Sequence, residues 1–318
     1  MQRLLYIALL FSSTLLFAQI DKDKEARFID RHAAIYGTSP SELSQVLSSA
    51  QYQPDIIEKI SKPAEFTMTW DRYRNIFIKE DRIAAGVEFW KEYEAVLVKT
   101  SFETGVPTEI ILGILGVETF FGQRKGSYKV LDALYTLSFG YPKREQFFQS
   151  ELDEFLRLIK EENLNSDEVL GSYAGAIGYC QFMPSSYRAY AKSYDEGGTR
   201  DLVNSPEDAI ASIANYLKVH RWKQGEPIVS AVEAQTSSKY PGKQSLKPSK
   251  SLADYESMGF KTSNSDGYER TTKGTLQKLD EEYWMGFQNF YVITRYNHSA
   301  YYALAVVQLA EAIKTARR

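Results

Sequence analysis

Cysteine and histidine are scarce in this chain of 318 residues. Because Cys180 is the one cysteine, no disulfide can form within the chain and no cysteine-based metal cluster is possible. The three histidines, His32, His220 and His298, are far apart in sequence and give little support for a histidine-ligated zinc site. Nucleophilic catalysis by Cys180 also has little support, since no histidine lies near it in the sequence.

An excess of charge of either sign is also lacking. Lys and Arg total 38 and Asp and Glu total 41, so the net charge of −3 gives no electrostatic case for a nucleic-acid partner. The sequence has no phosphate-binding P-loop and no dinucleotide fingerprint. Tyrosine, by contrast, is abundant, with 22 residues beside 17 Phe and 4 Trp. Flat amphipathic rings suit sugar or peptide surfaces, and they suit an ordinary core equally well.

The one long apolar stretch lies at the start of the chain. Arg3 precedes apolar residues at 4–17, and a charged run begins at Asp21. This pattern predicts a secretory signal peptide over 1–18, cleaved near Ala18, with an uncleaved anchor as the alternative. No cysteine follows the apolar stretch, which excludes the lipid anchor of a bacterial lipoprotein. We therefore expect an exported protein with no membrane span.

Helical patterns cover most of the remaining chain. Short helices are predicted over 20–60, one of them starting at Ser39-Pro40. One-sided apolar spacing predicts helices over 82–102, about 145–162 and about 299–316. Pro107 can open a helix that is apolar all round through Val117, and Ser205-Pro206 opens another that runs to about Lys218. Between about 225 and 280, Ser, Thr, Lys, Gly and Pro dominate and predict short strands and turns. The predicted fold is mainly α (α+β), divided into a helical region at 19–105, a core at 106–224, a small β-containing insertion at 225–285 and a closing segment at 286–318.

Glu118 is the first candidate for chemistry. It ends a helix that is apolar all round, which is typical of a buried helix. Burial would disfavour the charged carboxylate and raise its pKa, and a carboxyl group still protonated near neutral pH can act as a general acid. The alternative is a glutamate that turns outward where the helix ends before Gly122.

A glycine-rich segment at 171–187, predicted to form a structured loop, is the second candidate. Its three glycines let the backbone approach a ligand closely, and Ser172 and Gln181 offer the neutral groups that hold sugar hydroxyls or amides. The alternative is a tight crossover loop. No Asp or Glu occurs from 171 to 194, so this segment cannot supply the second carboxylate of an ordinary glycosidase.

The third segment, at 293–302, contains Asn297 and Ser299, either of which could simply cap the last helix. In that interpretation His298 beside them is structural.

Together the three segments resemble the lytic murein transglycosylases of the MltB type, which cleave the glycan strands of bacterial peptidoglycan. The resemblance runs from about Trp70 to the C-terminus and rests on motifs in order: Gly-Val-Glu-Thr at 116–119, Leu-Asp-Ala-Leu at 131–134, Thr-Leu-Ser-Phe at 136–139, Tyr-Pro at 141–142, the glycine-rich run from 171, Ala-Asn-Tyr at 214–216 and Ile-Thr-Arg-Tyr-Asn-His-Ser at 293–299. It implies a lysozyme-like helical core with an additional helical domain and a small β-containing domain. It also implies a periplasmic enzyme that needs no cofactor.

The resemblance further implies roles for individual residues. Glu118 matches the single catalytic acid/base of the family. Ser172 and Gln181 match groups that contact N-acetylated sugars, and the other residues that match the glycan groove are Tyr73, Phe182, Met183, Tyr216, Tyr296, Asn297 and Tyr302. Lys143 and Arg144 fall where the family has a basic pair near peptide or lactyl carboxylates. The first of them is lysine, which lacks the two-pronged geometry of a guanidinium.

A calcium loop of EF-hand type can follow the glycine-rich run in this family. Here the corresponding residues are 193–204, and the ligand positions hold Ser193, Asp195, Gly197, Thr199, Asp201 and Asn204. Two of these six are acidic and the bidentate glutamate is absent, so Asp195 and Asp201 are weak candidate ligands. We expect a loop that keeps its shape and binds calcium poorly.

The resemblance implies lyase-type cleavage of the β-1,4 bond between N-acetylmuramic acid and N-acetylglucosamine, with a 1,6-anhydro end as product. The first alternative is a hydrolase of the goose-lysozyme type on the same fold. The second is a peptidoglycan-binding protein without activity. Glycan strands are the expected partner in each case, and neither nucleic acid nor a membrane span is expected.

Overall fold

The computed structural model describes residues 20–62, 68–195, 197–242, 244–263 and 268–318. The predicted signal peptide at 1–18 lies outside them. Among the described residues, no helix has the length and apolar character needed to cross a bilayer.

Helices make up most of the described chain. The helices before the glycine-rich segment are α1 (Lys22–Tyr36), α2 (Pro40–Ser48), α3 (Pro54–Ser61), α4 (Trp70–Phe77), α5 (Glu80–Glu92), α6 (Glu94–Thr104), α7 (Thr108–Thr119), α8 (Val130–Gly140) and α9 (Glu145–Glu161). Those after it are α10 (Pro184–Tyr190), α11 (Pro206–Val219), α12 (Leu252–Ser257), α13 (Gln288–Ile293) and α14 (Ala300–Arg317). With the small sheet described below, this confirms the predicted mainly α fold with a β part.

The prediction of one helix over 82–102 was wrong, because the chain turns at Tyr93 between α5 and α6. Tyr93 has φ −106° and ψ 24°, outside the helical range, and serves as the last cap of α5 and the first cap of α6. The turn keeps the rings of Phe89 and Tyr93 in contact, with centroids 4.5 Å apart. It also lets Leu97 on α6 reach full burial, so tertiary packing overrode an apolar spacing that reads as continuous.

Helix α7 lies at the centre of the main core, as its apolar sequence predicted. Residues 110–116 are all buried. Two glycines allow α14 to pass very close to it: a Cβ at Gly113 would lie 2.5 Å from the carbonyl oxygen of Val306, and one at Gly116 would lie 2.7 Å from Leu309 Cδ2. The crossing brings the start of α14 to the end of α7.

The strands of the closing third form an antiparallel sheet in the order β4-β6-β7-β3-β5. Its strands are β3 (Val229–Ala234), β4 (Lys250–Ser251), β5 (Phe260–Thr262), β6 (Lys273–Leu279) and β7 (Glu282–Gly286). One face covers a small separate core that includes Tyr255, Phe260 and Met285. The sheet is tied to α4, because Trp70 donates its backbone N–H to Asp280 Oδ2 at 2.7 Å and its indole N–H to Glu282 at 3.2 Å.

The glycine-rich segment starts from a short two-stranded ladder of β1 (Tyr128–Lys129) and β2 (Leu170–Gly171). From 172 to 183 the chain forms tight turns in which Ile177 bridges to Gly171 and to Phe182. The prediction of a loop as far as 187 was wrong, since α10 begins at Pro184, where proline is favoured in the first helical turn.

Candidate active site

Glu118 is the penultimate residue of α7, where the helix ends against the glycine-rich segment. Its side chain is half-buried, and Oε1 accepts a hydrogen bond of 2.6 Å from the Tyr302 hydroxyl. The helix stops because Phe120 and Phe121 adopt left-handed backbone angles, with φ 51° and 56°. Glu118 therefore faces the start of α14, and the alternative of a glutamate turned outward is wrong.

Thr119, which sequence reasoning overlooked, fixes the end of this helix. Its hydroxyl lies 3.2 Å from the carbonyl oxygen of Tyr179 and accepts the backbone N–H of Gly122 at 3.0 Å. The contact joins α7 to the glycine-rich segment one residue after Glu118. The sequence signal that could have identified Thr119 is its place between the glutamate at the end of the predicted helix and the Phe-Phe-Gly sequence that follows.

Buried tyrosines surround the Glu118 contact. The ring of Tyr302 is 2% exposed and stacks on that of Tyr296 at 6.3 Å and 13°. Tyr296 donates its hydroxyl to the carbonyl oxygen of Cys180 at 2.6 Å, and Tyr216 donates to that of Arg295 at 2.5 Å. Burial raises the pKa of the Tyr296 and Tyr302 hydroxyls well above the usual value of 10.0, and the charge of Glu118 adds to this. Both hydroxyls therefore stay protonated at neutral pH and remain donors.

Two further predicted residues join this cluster. Phe182 packs with ring centroids 5.5 Å from Tyr296 and 5.6 Å from Tyr216. Tyr73, on α4, is 3% exposed, and its ring packs at 5.6 Å on that of Tyr301, the residue before Tyr302. The structure thus brings aromatic residues from four separate parts of the chain to one glutamate.

Ser172 and Gln181 hold the turns of the glycine-rich segment. Ser172 Oγ accepts the backbone N–H groups of Ala174 and Ala176 at 3.2 and 3.1 Å. Gln181 has φ 48°, and its side-chain nitrogen donates to the carbonyl oxygen of Lys125 at 3.0 Å. Lys125, which sequence reasoning also missed, therefore connects the loop after Glu118 with Gln181.

Cys180 is fully buried between these groups. Burial, and after it the charge of Glu118, raises the pKa of its thiol well above 9.0. A thiol held protonated is a poor nucleophile, in agreement with the sequence-based argument against cysteine catalysis.

Lys143 and Arg144 do not join the tyrosine cluster. Both are exposed in a short 3₁₀ turn before α9, and the guanidinium of Arg144 stacks on Phe147 at 3.9 Å. The helix that follows, α9, carries Glu151, which accepts hydrogen bonds from Ser185, two residues after the half-buried Met183. The basic pair therefore lies at the start of the helix that packs against the segment after Met183.

The cap of the last helix is Ser299, whose Oγ accepts the backbone N–H of Tyr302 at 3.3 Å. Asn297 is half-buried just before it, and its carbonyl oxygen accepts the Ser299 N–H at 2.7 Å. Ser299 thereby fixes the position of Tyr302 opposite Glu118.

The candidate calcium loop is closed by hydrogen bonds between protein groups. Asp201 Oδ1 accepts the backbone N–H groups of Val203 and Asn204 at 3.0 and 2.9 Å. Arg200 donates from Nε to Glu162 at 2.7 Å. Where the structure describes the chain, no group of three or more His, Cys, Asp or Glu side chains is placed to hold a metal ion.

Comparison with known proteins adds independent information. Residues 21–311 match the family model described as Transglycosylase SLT domain. The chain is 38% identical to membrane-bound lytic murein transglycosylase B of Escherichia coli K12, over 92% of this chain and 82% of the relative.

Two solved structures are similar along almost their whole length. The soluble lytic transglycosylase SltB1 of Pseudomonas aeruginosa has 43% identity and a TM-score of 0.84, covering 92% of this chain and 98% of that one. The Escherichia coli lytic transglycosylase Slt35, solved in complex with calcium, has 38% identity and a TM-score of 0.83, covering 92% and 93%.

These likenesses confirm the predicted lysozyme-like fold. They also favour a lyase over the two alternatives, a hydrolase and a binding protein without activity. The chain belongs to the SLT family of lytic transglycosylases.

Proposed function

We propose that this protein cleaves the β-1,4 bond between N-acetylmuramic acid and N-acetylglucosamine in peptidoglycan, with Glu118 as its single acid and base. The observation that carries the proposal is the hydrogen bond from the buried Tyr302 hydroxyl to Glu118. That contact fixes one carboxyl oxygen and leaves Glu118 beside a loop built from neutral groups. The related protein from Escherichia coli is named for action on murein, which is the same polymer.

Bond cleavage begins with the protonated Glu118 donating its proton to the glycosidic oxygen. Positive charge then develops at the anomeric carbon, and the N-acetyl oxygen of the same sugar stabilises it. This substrate assistance removes the need for a second carboxylate, which the segment from 171 to 194 does not contain.

Glu118, now ionised, acts as the base in the second step. It removes the proton of the sugar 6-hydroxyl, and the oxygen attacks the anomeric carbon to close a 1,6-anhydro ring. The leaving sugar keeps the first proton, Glu118 regains one, and no water is consumed. Tyr302 holds the carboxyl group in place through both steps because its hydroxyl stays protonated.

The glycan groove follows the aromatic residues on either side of Glu118. Tyr302 contacts the carboxyl group and Tyr73 packs on its neighbour Tyr301, while the rings of Phe182, Tyr216 and Tyr296 pack together on the other side of Tyr302. Ser172, Gln181 and Asn297 supply neutral polar groups, and Lys143 with Arg144 supplies positive charge at the start of α9.

Product analysis tests this proposal. Purified protein is incubated with peptidoglycan, and the released muropeptides are identified by mass spectrometry. We expect 1,6-anhydromuramoyl ends, which lack one water relative to the reducing ends left by a hydrolase. Release of reducing ends alone would identify a hydrolase and contradict the proposal.

We also propose that the protein acts in the periplasm. The basic and apolar pattern of residues 1–18 supports export, and the related protein from Escherichia coli is named as membrane-bound. No lipid-anchoring cysteine follows the apolar stretch here.

Replacement of Tyr302 by phenylalanine is expected to lower kcat by about 10- to 150-fold with little change in KM. One charge-assisted hydrogen bond to Glu118 is lost, and such bonds contribute on the order of 1.5–3 kcal/mol. Initial rates of anhydromuropeptide release measure the effect. Tyr255→Phe is the matched control, because Tyr255 is a fully buried tyrosine of the small separate core under the sheet. Equal rate losses in the two variants would argue against a positioning role for Tyr302.

Calcium at about millimolar concentration is expected to leave the melting temperature unchanged, although Slt35 was solved with calcium. Ser193, Gly197 and Asn204 replace acidic ligands, and fewer charged oxygens weaken a site for a hard cation. Thermal melting with calcium or chelator is the measurement. A clear rise in melting temperature that Asp195→Ala or Asp201→Ala removes would contradict this expectation.

A further inference from the structure

A cluster of two arginines and two phenylalanines adjoins the catalytic helix. Arg82, near the start of α5, is 7% exposed and donates from Nη1 to the carbonyl oxygen of Gly116 at 3.2 Å. Its guanidinium carbon lies 5.1 Å from the ring centre of Phe77 and 4.9 Å from that of Phe120. Arg124 is exposed and lies 5.1 Å from the same Phe120 ring. Both guanidinium groups therefore contact the ring of Phe120, which lies two residues after Glu118 in the sequence.

The positive charge of this cluster is poorly compensated. The charge of Asp81 favours the ionised form of Arg82, but Asp81 is exposed and its carboxylate accepts the Arg82 backbone N–H. Burial and the nearby Arg124 both lower the pKa of Arg82. A buried charge beside a second like charge is costly unless something negative approaches it.

The cluster lies next to Tyr73, one of the residues that match the glycan groove. The ring of Phe77 is 5.2 Å from that of Tyr73, and the ring of Tyr73 is 5.6 Å from that of Tyr301, the residue before Tyr302. Ring contacts thus connect the start of α14, which carries Tyr302, with Phe77 and Arg82.

We propose that Arg124, with Arg82 behind it, binds a carboxylate of the glycan strand at this end of the groove. Arg124 has the exposed guanidinium that a carboxylate can reach, and Phe120 limits the positions it can take. The buried Arg82 raises the positive potential at Arg124. At the same time, the hydrogen bond from its guanidinium to the backbone holds the end of α7. The carboxylate has two possible sources, the stem peptide or the free lactyl group of N-acetylmuramic acid. This inference rests on the proposed function, since peptidoglycan supplies both.

Binding of three glycans to the Glu118→Gln protein tests the proposal without cleavage. They are strands that carry stem peptides, the same strands after enzymatic removal of the peptides, and chitooligosaccharides, which carry no carboxylate. Calorimetry is expected to show that Arg124→Gln weakens binding of at least one of the first two by about tenfold, through loss of a charge-assisted hydrogen bond. Binding of chitooligosaccharides should not change. Loss with peptide-bearing strands alone identifies the peptide as the source, and loss with stripped strands alone identifies the lactyl group.

Arg27→Gln is the matched control, because Arg27 is an exposed arginine on α1. It should leave binding of all three glycans unchanged. An equal loss with Arg27→Gln, an equal loss for all three glycans, or no loss with Arg124→Gln would overturn the proposal. If the wild-type protein makes anhydro products yet Arg124→Gln binds normally, this inference alone fails. If the wild-type protein binds every strand and cleaves none, it is the proposed function that fails.

Discussion

Glu118→Gln should abolish release of anhydromuropeptides while the protein stays folded and still binds glycan. Glutamine has nearly the same shape, and its amide oxygen can still accept the Tyr302 hydrogen bond. It can neither give the proton that the leaving oxygen needs nor take one from the 6-hydroxyl. General acid–base assistance is typically ~10²–10⁴-fold, and loss of both roles should exceed the low end of that range. Mass spectrometry of digested peptidoglycan, a melting curve and a sacculus pull-down are the measurements.

Glu109→Gln is the control for this variant, since Glu109 lies at the opposite end of α7. Its carboxylate pairs with Lys314 at 2.6 Å, distant from the tyrosine cluster. We expect near-normal activity from it. The Glu118→Gln protein should melt at the same temperature as the wild type or higher, because active-site groups are often kept at a cost to stability. A folded Glu118→Gln protein with near-normal turnover would falsify the role assigned to Glu118.

Gly178→Ala is expected to reduce the free energy of unfolding by about 3 kcal/mol and to reduce activity with it. Gly178 has φ 66°, and a Cβ there would lie 2.0 Å from the carbonyl oxygen of Leu202. The neighbouring Tyr179 N–H donates to that same oxygen at 2.9 Å. The added methyl group would therefore disrupt the hydrogen bond between Tyr179 and Leu202, which holds the loop that carries Gln181.

A matched glycine separates the two causes of this loss. Gly37, after α1, has φ 70°, and no atom lies within 4 Å of the position that a Cβ would occupy, so Gly37→Ala has only the backbone cost, about 1 kcal/mol. Urea unfolding of both variants isolates the steric part. Equal losses of unfolding free energy in the two variants would mean that the loop moves freely away from Leu202. Gln181 would then not be rigidly supported.

Several features could be predicted from the sequence alone because each depends on residues that are close together in the chain. A helix apolar all round indicated that α7 is buried, and the end of that helix identified Glu118. The change in composition after 225 indicated a small β-containing part, since Ser, Thr and Gly break helical periodicity. The ordered motifs indicated the family. The pKa of Glu118, the domain limits and the substrate contacts of individual residues stay predictions.

Other features depended on contacts between distant parts of the chain. The turn at Tyr93 cannot be seen in an apolar spacing that continues through it, and the buried residues Phe89 and Leu97 lie on the two helices that the turn separates. The partner of Glu118 is Tyr302, which lies 184 positions away. Two glycines on α7 allow α14 to approach, and Ser299 sets where α14 begins.

The amino-acid sequence therefore determined which residue is the candidate for the chemistry and on which kind of helix it lies. Only the tertiary structure decided what surrounds it: the hydrogen bond from Tyr302 to its carboxyl group, the aromatic rings packed around Tyr302 and the arginine pair beside Phe120. The physical reason is that periodicity and capping act over a few residues along the chain. Hydrogen bonds, desolvation and electrostatic potential act through space, between groups that only packing brings together.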